Sequence, residues 1–436
     1  MTESTFTFEK ISGDLTGHIN LSKGFKIWMA FLVISLGICL YAYSLQLRTG
    51  LGVAGIRDYV SWGMYIGNFV FFVASSLIGM LISGVLGLIG IKWITPIARI
   101  AEIIAVAFAA VAGLVIVSDM GRPERLANVF IYGRFQSPIL WDVTVITTYF
   151  VLSLLLYFLP MIPDLAAVSK KADLLPAWLR PVYKALSMNF TNKPEQNAII
   201  KRSVRILLIL LIPAALSIHT VTSWLFAMTL RSGWDSSIFG PYFVSGAFVA
   251  GSAVVIIAMY FFRKNYKLQD YITDFHFNKM GLLLVLVSLV YVYFNLNEYL
   301  VPGYKLKRAD AAHLHELLIG KDALFFWSVQ LGGLVIPILL LLFRRLRKPL
   351  PVMLISIAVI IGAWFKRYLI VVPTQEHPFL PIQHVPDNFH HYTPTLIETA
   401  ISIAPFILFL MIVTILAKFF PVVPIIETAE EKGIHS

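Results

Sequence analysis

Long apolar stretches alternate with short polar segments along the whole chain. A helix needs about 20 consecutive apolar residues to cross a bilayer, and many stretches here reach that length. They are continuously apolar, unlike the alternating strands of a membrane β-barrel. The pattern therefore predicts an all-α membrane protein of about ten transmembrane helices, over residues 25–45, 60–88, 97–117, 141–160, 204–225, 240–262, 280–300, 322–343, 350–372 and 396–420.

Composition supports a membrane protein, because 58% of the residues are hydrophobic and only 14% are charged. The polar residues 1–24 have no short apolar core followed by a cleavage site, so we expect an N-terminal segment and no removable signal peptide. The transmembrane domain is expected over 25–420, and a polar C-terminal tail over 421–436.

The basic residues predict an orientation. Most of the 35 Lys and Arg residues lie in the terminal segments or after the even-numbered helices. The positive-inside rule then places both termini in the cytoplasm of a bacterial inner membrane. The net charge of +11 is explained by topology and does not favour nucleic-acid binding.

Ionisable residues near the helix ends fall mainly on the predicted outer side. Such residues are costly at membrane depth and tend to mark pathways or ligand sites. Any one of them also has an ordinary explanation as a helix-terminal acid or a snorkelling cation. Together they predict a polar cavity that opens outward. They are Asp58, Asp119, Arg122, Asp142, His219, Asp235, Glu298, Lys366, Arg367 and Glu398.

Redox centres on this chain are not expected. The only cysteine is Cys39, so the chain cannot ligate an iron–sulfur cluster alone. Of the ten histidines only His219 is clearly inside a predicted span, which argues against haem. The HLHE segment from His313 to Glu316 lacks a partner cluster, so we interpret it as polar surface and expect no metal site.

Five segments resemble the NrfD/PsrC family, the membrane subunits of polysulfide reductase, alternative complex III and related molybdoenzyme and cytochrome complexes. The chain is similar to the longer, ten-helix members over most of its length. The segments are DYVSWGMYIGNFVFFVA (58–74), SDMGRPERL (118–126), SPILWDVTVITTYF (137–150), SIHTVTSW (217–224) and NEYLVPGYK (297–305).

The resemblance implies a quinone or quinol site near the outer face, for menaquinone or ubiquinone. It also implies a ferredoxin-like iron–sulfur subunit on that face, with a molybdoenzyme or multihaem cytochrome as a further partner. The membrane subunit itself would carry no redox centre, which agrees with the single cysteine and the missing haem ligands.

A quinone site needs hydrogen-bond partners for the quinone oxygens and titratable groups beside them. His219 suits the first role, because a neutral imidazole both donates and accepts. Asp142 and Asp119 suit the second, and Arg122 could hold a carboxylate or a partner subunit. The alternative for His219 is a buried imidazole satisfied by a backbone carbonyl or by Asp. Further pocket-lining candidates are Tyr59, Trp62 and Asn68.

Proton translocation is a further hypothesis, and Glu102 on the cytoplasmic side of the third helix is its main support. The alternative for Glu102 is an ion pair with Arg99 at i, i+3. The other candidates for a proton path are Asp119, Glu298, Arg367 and Glu398.

Helices two to five and six to nine are expected to form two four-helix bundles, flanked by helices one and ten. A weak repeat links them, since Asp58 and Asp235 precede the opening helix of each set. Two other functions stay open at this point. Ten helices around a polar cavity also describe a secondary transporter, and a purely structural anchor would use the polar residues for docking.

Overall fold

The computed structural model describes residues 7–229, 231–305, 307–377, 383–386 and 389–434. Ten helices in this part are long and apolar enough to cross a membrane, and each overlaps one predicted span. The all-α, multi-pass membrane fold is confirmed. The helices are α1 (Lys23–Thr49), α2 (Met64–Leu86), α3 (Lys92–Asp119), α4 (Pro138–Ser169), α5 (Pro194–Ala227), α6 (Phe239–Asn265), α7 (Asp274–Lys305), α8 (Ala323–Leu342), α9 (Pro349–Gln375) and α10 (Leu396–Phe419).

Local sequence explains where several helices begin. The Ser22 hydroxyl accepts a hydrogen bond from the Phe25 amide (3.2 Å) and caps α1, and Thr395 caps α10 by accepting from the Glu398 amide (3.2 Å). Helices α4, α5 and α9 each have a proline at the first position, where the missing N–H removes no helical hydrogen bond.

The helix contacts are consistent with the two predicted bundles. Within α2–α5 each helix packs against its neighbour in sequence, and α5 returns to contact α2. Helices α6–α9 do the same, with α9 packed on α6. The two sets meet where α6 contacts α2, α3 and α5 and where α9 contacts α2. Helix α1 packs on α10, and α10 packs on α2 and α3, so both flanking helices lie beside the first set.

The first and the last described segments of the chain lie on the same face of the helix assembly. The short helix Phe8–Thr16 packs against the short helix Ile425–Glu431, and Ile11 and Leu15 are buried there. We call this side the termini face and the other side the opposite face. Helices α2, α4, α6, α8 and α10 begin at the opposite face.

Helix α2 begins after the start of its predicted span, 60–88. Helix α2 begins at Met64, so Tyr59 and Trp62 precede it. A Cβ atom at Gly63 would lie 2.6 Å from the Tyr392 ring, and the Met64 amide donates to the Tyr392 hydroxyl at 2.9 Å. This close contact with the segment before α10 fixes the entry of the chain and keeps residues 58–63 out of the helix.

Candidate functional site

The first bundle buries a carboxyl at its opposite-face end. Asp142 lies in the first turns of α4 and is 4% exposed. Its Oδ1 accepts a hydrogen bond from the Thr222 hydroxyl of α5 at 2.5 Å. A buried carboxyl with a hydroxyl donor is a group that can hold or release a proton next to a polar ligand.

His219 lies one turn before Thr222 on α5 and is 1% exposed. Its Nδ1 is 3.0 Å from the Ala215 carbonyl oxygen, and its Nε2 is 3.3 Å from the Ala74 carbonyl oxygen of α2. A neutral imidazole carries one N–H and therefore donates to only one of these two acceptors. One ring nitrogen therefore donates to a backbone carbonyl, and the other, which carries no proton, faces a second carbonyl oxygen without forming a hydrogen bond to it.

The Ala74 carbonyl lies where α2 is irregular, and it accepts a hydrogen bond from the Leu77 amide at 3.2 Å. Residues Ser76 and Leu77 form a turn, and a π-helical segment follows over Met80–Leu86. Such interruptions release backbone carbonyls from the regular ladder. The Tyr149 hydroxyl of α4 donates to the Ser76 carbonyl at 2.6 Å. Helices α4 and α5 are thus both hydrogen-bonded to the break in α2.

One face of α4 carries buried polar residues across the first bundle. Asp142, Tyr149, Ser153 and Tyr157 are spaced by four or seven residues, which places them on one side of the helix, and all are buried. We call them the α4 polar stripe. The Tyr157 hydroxyl has no hydrogen-bond partner within the described ranges. The stripe runs from the opposite face toward Glu102.

Glu102 lies at the termini-face end of this stripe. It is 7% exposed, and its Oε1 accepts from the Ser83 hydroxyl in the π-helical segment of α2 at 2.9 Å. Arg99 instead forms a buried ion pair with Asp164 of α4, at 2.5 Å. The ion pair between Glu102 and Arg99 that helical spacing suggested is therefore wrong, because α4 supplies a competing carboxylate.

Two of the predicted pocket-lining residues, Trp62 before α2 and Asn68 within it, mainly connect α2 to other helices. The Trp62 amide donates to Gln375 Oε1 (3.0 Å), and the Trp62 ring packs against Phe226 at the end of α5 (5.5 Å between centroids). The Asn68 side chain donates to the Ser402 carbonyl (2.9 Å) and accepts from Trp364 (2.7 Å). Of these two candidates, Trp62 reaches the α5 end that carries His219.

Tyr59 and Arg122 lie farther toward the surface of the opposite face. The Tyr59 ring lies 4.5 Å from the His390 ring, between the start of α2 and the segment before α10. Arg122 is exposed in the turn after α3. Its side chain therefore lies at the protein surface, where it can contact another molecule, and not in a pocket.

Asp119 and Glu398 form a second polar cluster, beside α1 and α10. Glu398 is fully buried and accepts from the Gly55 amide (2.7 Å) and from the Tyr392 hydroxyl. The charge of Glu398 acts on Asp119, whose Oδ1 has no hydrogen-bond partner in the described part of the chain. The structure thus places Asp119 with Glu398.

The second bundle contains a third polar cluster, centred on Lys366 and Arg367 of α9. The Lys366 ammonium donates to the Tyr299 hydroxyl, and its charge interacts with Glu298 of α7. Arg367 lies over the Phe243 ring at 5.1 Å from its centroid. A hydrogen-bonded network continues the cluster across the bundle through Tyr242, Tyr291, Asn295 and Gln330.

His313 caps this third cluster at the opposite face. It belongs to the short helix Arg308–Leu318 and is 6% exposed, so its interpretation as polar surface was wrong. Burial lowers the pKa of His313 to about 3, and the charges of His377 and Lys366 act in the same direction. His313 is therefore neutral at physiological pH. His315, two residues on, is exposed.

The cavities at the termini face are much larger than those in the second bundle. Two cavities in the second bundle, one beside Glu298 and His313 and one beside Arg367, have volumes of about 20 Å³ each, enough for a single water. Two larger cavities, of about 310 and 440 Å³, lie at the termini face. Among the described residues, no three or more His, Cys, Asp or Glu side chains are grouped so as to hold a metal ion.

The motifs that contribute Asp142, His219 and Glu298 all fall within one family match. The model of the family described as polysulphide reductase, NrfD, matches residues 52–378. The chain belongs to the NrfD family. The match includes α2–α9 and leaves out α1 and α10.

Three relatives of this NrfD protein belong to reductase or oxidoreductase complexes. A provisionally named dimethyl sulfoxide reductase membrane subunit of Halobacterium salinarum is 29% identical, over 78% of this chain and 75% of the relative. A selenate reductase subunit of Mesobacillus selenatarsenatis is 24% identical, over 92% and 95%. The Hdr-like menaquinol oxidoreductase integral membrane subunit of Archaeoglobus fulgidus is 23% identical, over 98% and 99%.

Sequence reasoning missed the α4 polar stripe and most of the cluster around Lys366. Both had a signal in the NrfD sequence. Tyr149, Ser153 and Tyr157 follow Asp142 at helical spacing, and Tyr291, Asn295 and Glu298 repeat at i, i+4 and i+7 on α7. Tyrosine and serine are common in apolar helices, so a search restricted to charged residues does not identify these positions.

Proposed function

We propose that this NrfD protein is the quinone-binding membrane subunit of a multi-subunit respiratory redox complex, and that the quinone head binds beside Asp142 and His219. The observation that carries the proposal is the buried Asp142 carboxyl, held by Thr222 one helical turn from His219. A relative named as a menaquinol oxidoreductase subunit, matched over nearly its whole length, supports quinone as the substrate. Menaquinone and ubiquinone both satisfy this chemistry.

Each residue has a defined part in the proposed reaction. A quinol that loses two electrons also loses two protons, which require acceptors in an otherwise apolar site. Asp142 accepts a proton from one quinol hydroxyl, and the Thr222 hydroxyl orients the carboxylate. His219 exchanges its contact with the Ala74 carbonyl for one with the second quinol hydroxyl, and its unprotonated ring nitrogen accepts the second proton. Trp62 closes the site from the α2 side.

The electrons leave through another chain, because a single cysteine cannot hold an iron–sulfur cluster. We propose a ferredoxin-like iron–sulfur subunit on the opposite face, together with a molybdoenzyme or multihaem cytochrome. The exposed Arg122 in the turn after α3 is suited to contact that subunit. In this arrangement the termini face is the cytoplasmic side of a bacterial inner membrane, as the basic residues indicate.

Proton coupling is the second part of the proposal. The α4 polar stripe leads from Asp142 toward Glu102, so it supplies hydroxyl groups between the quinone site and the termini face. Asp119 and Glu398 form one cluster, and Glu298 and Arg367 belong to another. We propose that the three carboxyl groups exchange protons with the opposite face, and that Arg367, which stays protonated, acts on that path only through its charge.

Quinol-dependent electron transfer in the purified, intact complex tests this assignment. Asp142→Asn should lower turnover about 100-fold, because it removes the proton acceptor while keeping the side-chain shape. Thr222→Val should lower it less, since the carboxyl loses only its orienting donor. Two controls are Asp235→Asn, an exposed carboxyl at the same face, and Thr220→Val, whose hydroxyl donates to its own helix. Normal turnover in an assembled Asp142→Asn complex would overturn the assignment.

A further inference from the structure

The termini face contains a cavity of about 310 Å³ that reaches Glu102 from outside the membrane-spanning region. Its lining includes Glu102 and Ser83 on one side and Glu427 and Glu431 of the short C-terminal helix Ile425–Glu431 on the other. A neighbouring cavity of about 440 Å³ shares Gly87, Pro160, Val204, Leu208, Pro424 and Glu427 with it. The volumes are many times that of one water molecule.

The C-terminal helix is held in place by the transmembrane helices. Asp164 of α4 accepts hydrogen bonds from the backbone amides of Ile425 (3.1 Å) and Ile426 (2.9 Å) while it pairs with Arg99. Thr95 of α3 donates to Glu431 at 2.5 Å. These contacts fix the helix over the cavity and direct Glu427 into it.

Glu427 combines access to water with closeness to Glu102. Its side chain is accessible to solvent, and its charge interacts with that of Glu102. Surrounding protein atoms also raise the pKa of Glu427, so its carboxyl exchanges a proton closer to neutral pH than an ordinary glutamate. Arg99 lines the same cavity, and its buried Nε has no hydrogen-bond partner among the residues described, which suits a bound water.

We propose that Glu427 relays protons between water at the termini face and Glu102. A proton leaves the Glu427 carboxyl for a cavity water, and that water gives a proton to the Glu102 carboxylate. The Glu427 carboxylate then regains a proton from bulk water, and the reverse sequence uses the same groups. This inference rests on the proposed coupling of quinone chemistry to Glu102, and it assigns the C-terminal helix a part in that coupling.

The test measures protons released at the termini face per electron transferred, with the intact complex oriented in liposomes and menadiol as reductant. Glu427→Gln should lower this ratio about 10-fold or more, the size expected when a positioned proton carrier is removed. Glu427→Asp should restore a large part of it. Glu430→Gln is the matched control, because Glu430 lies on the same helix but lines only the neighbouring cavity.

The outcomes separate this inference from the coupling on which it rests. If wild type releases protons at the termini face and Glu427→Gln does so equally well, the relay through Glu427 is wrong and the coupling stands. If wild type shows no such release, both are wrong. A ratio that falls equally in Glu427→Gln and Glu427→Asp would indicate a structural role for the side chain and would also overturn the relay.

Discussion

His313 is a buried base at the edge of the polar cluster in the second bundle. Its Nδ1 has no hydrogen-bond partner in the ranges that the structure describes, and its ring lies 5.9 Å from that of His377. Protonation inside this site would add a charge next to Lys366, so the folded protein binds the proton much more weakly than the unfolded chain does.

This difference predicts a loss of stability on acidification. The folded pKa of about 3 lies below the unfolded value of 6.5, so the unfolded state binds more protons between these values and stability falls as pH decreases through 6.5. Between pH 7 and pH 5 the loss due to His313 is about 2 kcal/mol. Thermal unfolding of the purified protein in detergent should show it, and His313→Gln should remove that part of the slope.

The exposed His315 on the same helix is the control, since His315→Gln should leave the pH dependence as in wild type. An unchanged slope in His313→Gln would show that His313 is not the responsible group.

At the residue scale, the sequence predicted which polar groups are buried better than it predicted their partners. Asp142 was expected at the start of a helix and lies there, because an apolar run and a proline define that start. The contact of His219 with Ala74 could not be foreseen, since it depends on an interruption in another helix. Likewise, Arg99 pairs with Asp164 rather than Glu102 because of tertiary packing.

At the element scale, helices α8 and α9 approach each other backbone to backbone. A Cβ atom at Gly333 would lie 2.5 Å from the Cα of Gly362, closer than real Cβ contacts allow. This contact sits beside the small cavity lined by Arg367. Any side chain at Gly333 would have to push the two helices apart.

We therefore predict that Gly333→Ala destabilises the protein by about 1–3 kcal/mol, the usual cost of inserting a methyl group into a packed interior. Gly332→Ala is a matched control on the adjacent residue, where a Cβ would meet nothing within 4 Å. That substitution should be neutral or slightly stabilising, because alanine has the higher helix propensity. Thermal unfolding midpoints measure both, and equal midpoints for the two variants would contradict the packing argument.

The elements were largely predictable because a membrane helix is specified by length and apolarity. The start of α2 was not, since it is set by the contact of residues 63 and 64 with Tyr392, which lies far away in sequence. The π-helical segments of α2 and α8 also had no sequence signal that periodicity could detect. The irregular stretch of α2 forms hydrogen bonds to two other helices: the Ser83 hydroxyl donates to Glu102 of α3, and the Ser76 carbonyl accepts from Tyr149 of α4.

At the scale of the whole molecule, the two bundles differ in chemistry. The first contains Asp142, His219 and a stripe of hydroxyl groups that leads toward a large cavity at the termini face. The second contains cations, Lys366 and Arg367, beside cavities that hold about one water each. We assign quinone binding to the first bundle, because it contains a buried carboxyl and an imidazole that can accept the two protons of a quinol, and electrostatic roles to the second.

Photoaffinity labelling of the intact complex with an azido-quinone, followed by identification of the labelled peptides, tests this assignment most directly. We expect label in peptides from the opposite-face ends of α4 and α5, which carry Asp142 and His219, and loss of that label when excess unmodified quinone competes. Displaceable label concentrated instead in the α7 and α9 peptides, which carry Glu298 and Lys366, would contradict it.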